Sequence, residues 1–219
     1  RKCDAVITVS KPIAEAYAKR YSIEEPQLVL NCPPFQNPLN ADKFRECFPI
    51  ARDTRILLYQ GGLSHERGIE TSLEAFHSLK DPGLAFVLMG YGPLEEEIRE
   101  FCRRDPRIFL HPAVSQADLP YYTASADFGL LFYENTCLNN YYCMPNKYFE
   151  YLMAGVPVVV SPLFELRRLT ETYVLGIVAE DTTAAGMKSA MEQALVFDRQ
   201  RFIERLPEFT RHYNWEHQE

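Results

Sequence analysis

The sequence predicts an α/β fold in which a parallel sheet is covered by helices on both faces. Short apolar runs rich in β-branched residues alternate with amphipathic stretches along the whole chain, and strands separated by helices are most simply joined as right-handed parallel crossovers. The runs are nearly continuous in apolar residues, as burial on both faces of a sheet requires. The 219 residues, 47% of them hydrophobic and 13% aromatic, also suffice for the core of one large domain.

The individual elements follow from apolar runs and from the signals at their ends. Apolar residues recur at helical spacing over 69–79 and 94–102, and the second stretch begins with three glutamates and ends with two arginines, which complement the helix dipole. A third helix is predicted between Pro145 and Gly155, since proline favours a helix start and glycine a helix end. Strands are predicted at 5–9, 27–30, 55–59, 85–89, 108–110, 128–132, 156–160 and 176–179.

Both ends of the chain are predicted to lie outside the main domain, which spans 32–199. Residues 32–38 contain three prolines and cannot form a central strand, so we expect 1–31 to be a hinge and the end of a neighbouring domain. The chain opens without Met and runs directly into a strand, as a fragment would. Residues 200–219 carry an apolar stripe interrupted by Pro207, which predicts a helical tail that packs towards the missing neighbour.

Charge and composition exclude several classes of partner. The net charge of −7 argues against nucleic acid or anionic lipid as the main partner, and no run approaches the roughly 18 apolar residues of a membrane span. Six cysteines without a C-x-x-C pair and five histidines without metal spacing favour reduced thiols in a cytoplasmic protein that requires no metal. A zinc site or a disulfide is the alternative.

A pair of glycines, Gly61 and Gly62, follows the strand at 55–59 and precedes Arg67 and a helix. Ligands of parallel sheets bind at the carboxyl ends of strands, and a glycine turn before a helix suits a pyrophosphate. Arg67 would add a bidentate cation. The alternative is an exposed arginine beside a tight turn.

A second glycine turn, formed by Gly90, Tyr91 and Gly92, follows the strand at 85–89. It is either a compact strand-to-helix turn or the second wall of a shared crevice. Backbone groups near Pro112 and Val114, after the next strand, lie on the same side of the predicted sheet and could contact a nucleobase.

The segment from 133 to 144 is rich in amide and aromatic side chains and joins a buried strand to a helix. Such groups bind sugar hydroxyls and sugar faces. The candidate ligand-binding residues here are Glu134, Asn140, Tyr142 and Met144, followed by Pro145 and Asn146 at the helix start.

On that helix, Lys147, Glu150 and Ala154 share one face. Glu150 could accept two hydrogen bonds from a ribose diol. The alternative is a Lys147–Glu150 surface pair worth about 0.2–0.5 kcal/mol.

These segments resemble the C-terminal, nucleotide-sugar-binding half of retaining glycosyltransferases with the GT-B fold, the group 1 class, which implies a Rossmann-like sheet. The resemblance extends over nearly the whole chain. Residues 4–10 are similar to the last strand of the family's acceptor domain, and 28–34 to the start of its donor domain. The other matching segments are 59–68 (Y-Q-G-G-L-S-H-E-R-G), 88–93 (L-M-G-Y-G-P), 122–130 and 145–159 (P-N-K-Y-F-E-Y-L-M-A-G-V-P-V-V).

The resemblance implies particular roles and reveals two departures. Arg67 stands where the family has a diphosphate-binding lysine, and Glu150 where it has the second, ribose-binding glutamate of a Glu-x7-Glu motif. Gly62 replaces a second diphosphate-binding arginine. Tyr142 occupies the position of the first glutamate, so the usual sugar-facing carboxylate is either absent or replaced by one such as Glu134.

The implied activity is metal-independent transfer of a sugar, with retention of configuration, from a nucleotide-diphosphate sugar. Arg67, Lys147 and Glu150 are the expected catalytic residues. The acceptor would be a glycan or lipid-linked sugar of a cell-envelope polysaccharide, bound by the missing N-terminal domain. That domain would also carry any contact with the inner face of the cell membrane, and this chain alone should be nearly inactive.

Two other functions stay open from the sequence. A GT-B nucleotide-sugar epimerase would need acid and base residues that the motifs do not locate. A non-catalytic nucleotide-sugar binding module would explain the missing carboxylate at Tyr142.

Overall fold

A computed structural model describes residues 3–218 and shows strands in the order that the sequence predicts. All eight predicted strands are present, with shifted ends. They are β1 (Ile7–Thr8), β2 (Gln27–Leu28), β3 (Arg55–Gly62), β4 (Leu84–Tyr91), β5 (Ile108–Pro112), β6 (Phe128–Leu131), β7 (Val158–Val160) and β8 (Gly176–Val178).

Helices connect most of these strands. They are α1 (Lys11–Tyr21), α2 (Lys43–Cys47), α3 (Ile69–Ser78), α4 (Glu95–Arg104), α5 (Leu119–Ala124), α6 (Leu138–Tyr141), α7 (Asn146–Met153), α8 (Phe164–Tyr173), α9 (Ala184–Ala194) and α10 (Arg199–His212), with a 3-10 turn at Trp215–His217. Among residues 3–218, no helix combines the length and the apolar character needed to cross a membrane.

Six strands form one parallel sheet in the order β5-β4-β3-β6-β7-β8. The chain adds β4 and β5 on one side of β3 and then crosses to place β6 on the other. Such a reversal opens a crevice at the carboxyl ends of the two central strands. The α/β prediction with a parallel sheet is therefore confirmed, and the topology itself locates a ligand crevice beside β3.

The sheet is buried on both faces because side chains of β3 alternate between two cores. Ile56 and Leu58 pack in the core that includes residues of α7, α8 and α10. Leu57 and Tyr59 pack in the core that includes residues of α3, α4 and α9. Both cores are apolar, which explains why the strands have nearly continuous apolar sequences.

Two strands extend beyond their predicted ends. β3 and β4 stay paired through the glycine turns, with Gly61 opposite Gly90 and Gly62 opposite Tyr91. A Cβ at Gly90 would overlap the backbone oxygen of Gly61. The two turns are thus held side by side, as the sequence suggested, because glycine allows their backbones to approach closely.

The tail helix packs on this chain with part of its apolar stripe. Phe202, Leu206 and Phe209 are buried in the same core as α7 and α8. The Phe209 ring stacks on Tyr213 with 4.5 Å between centroids. Aromatic side chains of α7 and α8, which are distant in sequence, pack against this stripe. Whether a further domain also contacts the tail stays a prediction.

Hydrogen bonds also join the segment 30–35 to the C-terminal segment 216–218. The backbone N–H of Leu30 donates to Gln218 Oε1 at 2.9 Å, and that of Phe35 donates to Glu216 Oε2 at 2.9 Å. β1 and β2 pair only with each other in a small parallel sheet. The assignment of 1–31 to a neighbouring domain stays a prediction.

The contact between β6 and α7 gives a stability prediction. A Cβ at Gly129 would overlap the buried Tyr151 ring, whereas a Cβ at Gly62 would have nothing within 4 Å. We expect Gly129→Ala to lower the free energy of unfolding by about 1–3 kcal/mol through overpacking. Gly62→Ala, the control, should be neutral or slightly stabilising. Denaturant midpoints of the two variants test this, and equal midpoints would contradict the packing described.

Candidate functional site

A cavity of about 540 Å³ opens at the carboxyl ends of β3 and β4 and at the N-terminus of α7. Its wall brings together most of the residues that the sequence singled out. These are Gly61, Gly62, Arg67, Gly90, Tyr91, Val114, Pro145, Asn146, Lys147 and Glu150. The glycine turns and the α7 helix therefore enclose one space, as expected from their positions after parallel strands.

Eight further residues of the wall were not among the predicted ligand-binding residues. They are Tyr59, Gln60, Ser64, Met89, Ala113, Gln116, Leu119 and Tyr133. Tyr59 and Gln60 are the last strand residues before the predicted glycine turn, so their position after an apolar run was an available signal. Tyr133 immediately follows a strand predicted to end at residue 132, which is the same signal on the neighbouring strand.

Two candidates from the 133–144 segment stabilise that loop. Asn140 Nδ2 donates to the backbone oxygen of Glu134 at 3.2 Å and to Thr136 Oγ1 at 3.0 Å. Neither Glu134 nor Asn140 is part of the cavity wall. Because the short helix α6 turns the segment back on itself, this amide is used within the loop, and the assignment of Glu134 and Asn140 to the ligand site stays a prediction.

Two further candidates of this segment pack on apolar partners. The Tyr142 ring lies 5.0 Å from the Tyr141 ring and 5.6 Å from the Phe164 ring, centroid to centroid. Met144 is buried in the core. Both are outside the wall, since α8 and the core offer them contacts that the sequence did not reveal.

Gly92 and Pro112 also lie beside the cavity but not in its wall. A Cβ at Gly92 would overlap the backbone of Leu63, so this glycine serves the close packing of the turn. Pro112 is the last residue of β5 and pairs with Gly90. Its neighbour His111 packs among aromatic rings, including Tyr122 at 4.8 Å between centroids.

The glycine turn leaves room for a cation. Gly61 has φ of +115°, and Lys147 Nζ lies 3.4 Å from where its Cβ would be. Any side chain at this position would be strained by the positive φ, and its Cβ would lie in van der Waals contact with the ammonium group. Gly68 begins α3 with φ of +64°, and a Cβ there would overlap the backbone oxygen of Phe132.

Lys147 and Arg67 lie over aromatic rings of the cavity wall and share one of them, Tyr133. Lys147 Nζ lies 3.9 Å from the centroid of the Tyr59 ring and 5.8 Å from that of Tyr133. Arg67 Cζ lies 5.0 Å from the Tyr133 centroid. Cations over aromatic faces gain about 0.5–2 kcal/mol, most where water is excluded. These rings therefore hold both cations without neutralising them.

No carboxylate of residues 3–218 lies within 4.0 Å of the charged nitrogens of Arg67 or Lys147. Burial, and then the positive charge of Arg67, lower the pKa of Lys147 to about 7. Glu150 offsets this only in part. The site thus carries an excess of positive charge that an anion would stabilise.

Glu150 is held by a different partner. Gln60 Nε2 donates to Glu150 Oε2 at 2.7 Å. Burial raises the pKa of the Glu150 carboxyl, while the Gln60 hydrogen bond and the charge of Lys147 lower it. The alternative of an exposed Lys147–Glu150 ion pair is wrong, because the carboxylate is turned towards β3 instead.

The N-terminus of α7 adds to the positive potential. Pro145 precedes the helix with extended backbone and no side-chain cap. Pro145, Asn146 and Lys147 all line the cavity. The first N–H groups of a helix lack intrahelical partners, and the dipole there favours an anion.

Comparison with known proteins assigns the chain to a family. The sequence model described as "Glycosyl transferases group 1" matches residues 54–196, which include β3 to β8 and every residue of the cavity wall. Escherichia coli K12 WcaI, provisionally named a colanic acid biosynthesis glycosyl transferase, is 24% identical over 180 residues, or 78% of this chain and 43% of WcaI.

Solved structures share the fold at low sequence identity. Anabaena HepE in complex with UDP and glucose superposes with a TM-score of 0.76 at 15% identity, covering 97% of this chain and 59% of HepE. WaaG, a glycosyltransferase involved in lipopolysaccharide biosynthesis, superposes with a TM-score of 0.70 at 17% identity, covering 95% of this chain and 57% of WaaG.

The chain therefore spans about half the length of these relatives. The parallel six-stranded sheet has the Rossmann-like arrangement of a GT-B domain, and the family model matches well over half of the residues. From the matched motifs and the shared fold, the chain belongs to the group 1 glycosyltransferase family.

Proposed function

We propose that this chain is the donor-binding domain of a glycosyltransferase and that its cavity binds the diphosphate of a nucleotide sugar. The observation that carries the proposal is the pair of basic side chains, Arg67 and Lys147, which line one cavity in which the one lining carboxylate, Glu150, is hydrogen-bonded to Gln60 rather than to either of them. A site with this excess of positive charge is suited to a ligand with two adjacent negative charges. The complex of HepE with UDP and glucose supports a ligand of this class.

Catalysis would rest on electrostatic stabilisation of the leaving group. Negative charge develops on the diphosphate as the bond to the sugar breaks. Arg67, Lys147 and the start of α7 line the cavity, and their positive charge and helix N-terminal N–H groups would stabilise the charge that develops there. Because these groups supply positive charge themselves, we propose that transfer requires no metal ion.

The rest of the nucleotide would be bound by the remaining walls. Glu150 would accept hydrogen bonds from the ribose hydroxyls. Val114 and its neighbours Ala113, Gln116 and Leu119 form a less polar wall suited to the nucleobase. We propose that the sugar lies towards Pro145 and Asn146, where the cavity wall meets the 133–144 segment.

Acceptor binding is proposed to lie in a domain outside this chain, since the relatives are about twice as long. The names of WcaI and WaaG associate them with colanic acid and lipopolysaccharide. We therefore propose a glycan or lipid-linked acceptor of a cell-envelope polysaccharide. The protein would act in the cytoplasm, with any contact to the inner face of the membrane made by that other domain.

One observation favours a second candidate, a non-catalytic nucleotide-sugar binding module. Tyr142 stands where the family has its first glutamate, and neither Tyr142 nor Glu134 lies in the cavity wall. The complete protein distinguishes the two functions. Transfer from any nucleotide sugar to a panel of glycan acceptors supports the enzyme, and tight donor binding without transfer or hydrolysis supports the module.

The first binding prediction concerns the contact between Arg67 and the diphosphate. We expect Arg67→Ala to weaken binding of whichever of UDP, GDP and ADP the chain binds best by about ten- to a hundredfold, the effect of one charge-assisted contact. Arg205→Ala is the control, because Arg205 is an exposed arginine paired with Glu208 at 3.4 Å. Calorimetric titration measures both, and equal affinities of the two variants would contradict the assignment of Arg67.

The second prediction concerns pH. With the pKa of Lys147 at about 7, its cationic fraction falls about tenfold between pH 6 and pH 8. An anionic ligand that needs the cation should bind up to about tenfold more weakly at pH 8. The probe is a nucleotide sugar, because both of its phosphates are esterified, whereas a terminal phosphate itself titrates near pH 6.

Titrations of the chain with UDP-glucose, GDP-mannose and ADP-glucose at both pH values test this. Lys147→Met, which cannot titrate, should bind the preferred donor weakly and with the same affinity at both values. A wild-type affinity that is flat or rises with pH would show that Lys147 does not bind the diphosphate as a cation.

A further inference from the structure

Gln60 is a polar side chain at the end of β3 that is 2% exposed, yet both ends of its amide have partners. Its Nε2 donates to Glu150 Oε2 at 2.7 Å, and its Oε1 accepts from Thr123 Oγ1 at 2.9 Å. Thr123 is 1% exposed. A buried amide with both ends satisfied fixes the direction of the groups it joins.

We propose that Gln60, with its carbonyl held by Thr123, is the positioning residue for Glu150, and that it presents the second carboxylate oxygen to the ribose diol of a bound nucleotide. This inference rests on the proposed function, since it assumes that a nucleotide occupies the cavity.

The amide can serve this role in only one orientation. An ionised carboxylate accepts hydrogen bonds and cannot donate them, so the NH2 end of Gln60 must face Glu150. The carbonyl end must then face Thr123. The backbone N–H of Gln60 donates to the Tyr151 hydroxyl at 3.0 Å, and that hydroxyl donates to the Leu58 oxygen at 2.9 Å. The backbone beneath the amide is therefore fixed as well.

Thr123 satisfies the amide orientation that Glu150 imposes. Its hydroxyl carries a single hydrogen and has two acceptors in reach, Gln60 Oε1 at 2.9 Å and the Leu119 backbone oxygen at 2.8 Å. With the Gln60 carbonyl facing it, the hydroxyl must donate there, because two oxygen acceptors without a proton between them repel. Loss of the hydroxyl would leave a buried amide oxygen unpaired and free the amide to rotate.

The arrangement leaves one oxygen of Glu150 for a ligand. Within residues 3–218, Gln60 is the hydrogen-bond partner of Oε2, and Oε1 has none and is not sealed in the interior. Glu150 lines the cavity. The hydrogen bond to Oε2 restrains rotation of the Glu150 carboxylate, so its other oxygen keeps one direction. The Gln60 hydrogen bond also lowers the pKa of Glu150 against the effect of burial, which favours the ionised form that accepts from hydroxyls.

The test compares a nucleoside diphosphate with its 2′,3′-dideoxy analogue, which lacks the diol. The probe pair is taken from whichever of UDP, GDP and ADP the chain binds best. We expect the wild-type chain to prefer the ribose form by about tenfold or more, as a charge-assisted hydrogen bond provides. Gln60→Met, of similar length but without donors, should bring the two affinities to within about twofold, mainly by weakening the ribose form.

A second pair of variants separates positioning from folding. Thr123→Val removes the hydroxyl at nearly constant shape and should also lower the preference. Thr123→Ser keeps a hydroxyl and should restore most of it. Arg67→Ala should weaken both nucleotides by the same factor and leave the preference unchanged, because Arg67 is assigned to the diphosphate.

The outcomes are distinguishable. If Gln60→Met and Thr123→Val bind nucleotide with the wild-type preference, the positioning role is wrong while the proposed function stands. If the wild-type chain binds none of the three nucleotides, the proposed function is overturned and this inference with it. If Gln60→Met does not fold, the Thr123→Val and Thr123→Ser pair decides, and equal preferences in those two variants overturn the proposal.

Discussion

The site depends on two basic side chains, Arg67 and Lys147, that lie over one aromatic ring with no carboxylate of residues 3–218 within 4.0 Å of either. Removing an ammonium group from water is costly unless other groups compensate, and here the faces of Tyr59 and Tyr133 do so only partially. The lowered pKa of Lys147 is the result of that incomplete compensation. Gly61 has no side chain and therefore leaves space for the ammonium. A dianionic ligand would compensate this positive charge, which is why we propose a diphosphate as the ligand.

The end of β3 holds both charged residues of α7 that line the cavity. Tyr59, Gln60 and Gly61 are consecutive, and neighbouring side chains of a strand point to opposite faces. The Tyr59 ring carries the Lys147 cation, while the Gln60 amide holds the Glu150 carboxylate. Lys147 and Glu150 are three residues apart on α7, so both face the end of β3. Opposite charges that would otherwise neutralise each other are thereby kept on separate partners.

Much of this arrangement could be predicted from sequence, because it depends on local patterns. Apolar runs located all the strands, glycine pairs located both turns, and helical spacing placed Lys147 and Glu150 on one face. The roles of Gln60, Thr123 and Tyr133 depend on contacts between segments far apart in the chain, so no local pattern contains them. For the same reason the contacts that Tyr142 and Asn140 make could not be predicted. Their polar and aromatic composition indicated a ligand site. In the structure the Tyr142 ring packs on Phe164, and the Asn140 amide donates to the backbone of the loop.

A crystal structure of this chain with whichever of UDP, GDP and ADP it binds would show where the diphosphate lies. We expect both phosphates within hydrogen-bonding distance of Arg67 and Lys147, at the N-terminus of α7. A nucleotide bound elsewhere on the chain, or a diphosphate in this cavity that contacts neither side chain, would contradict the proposed site.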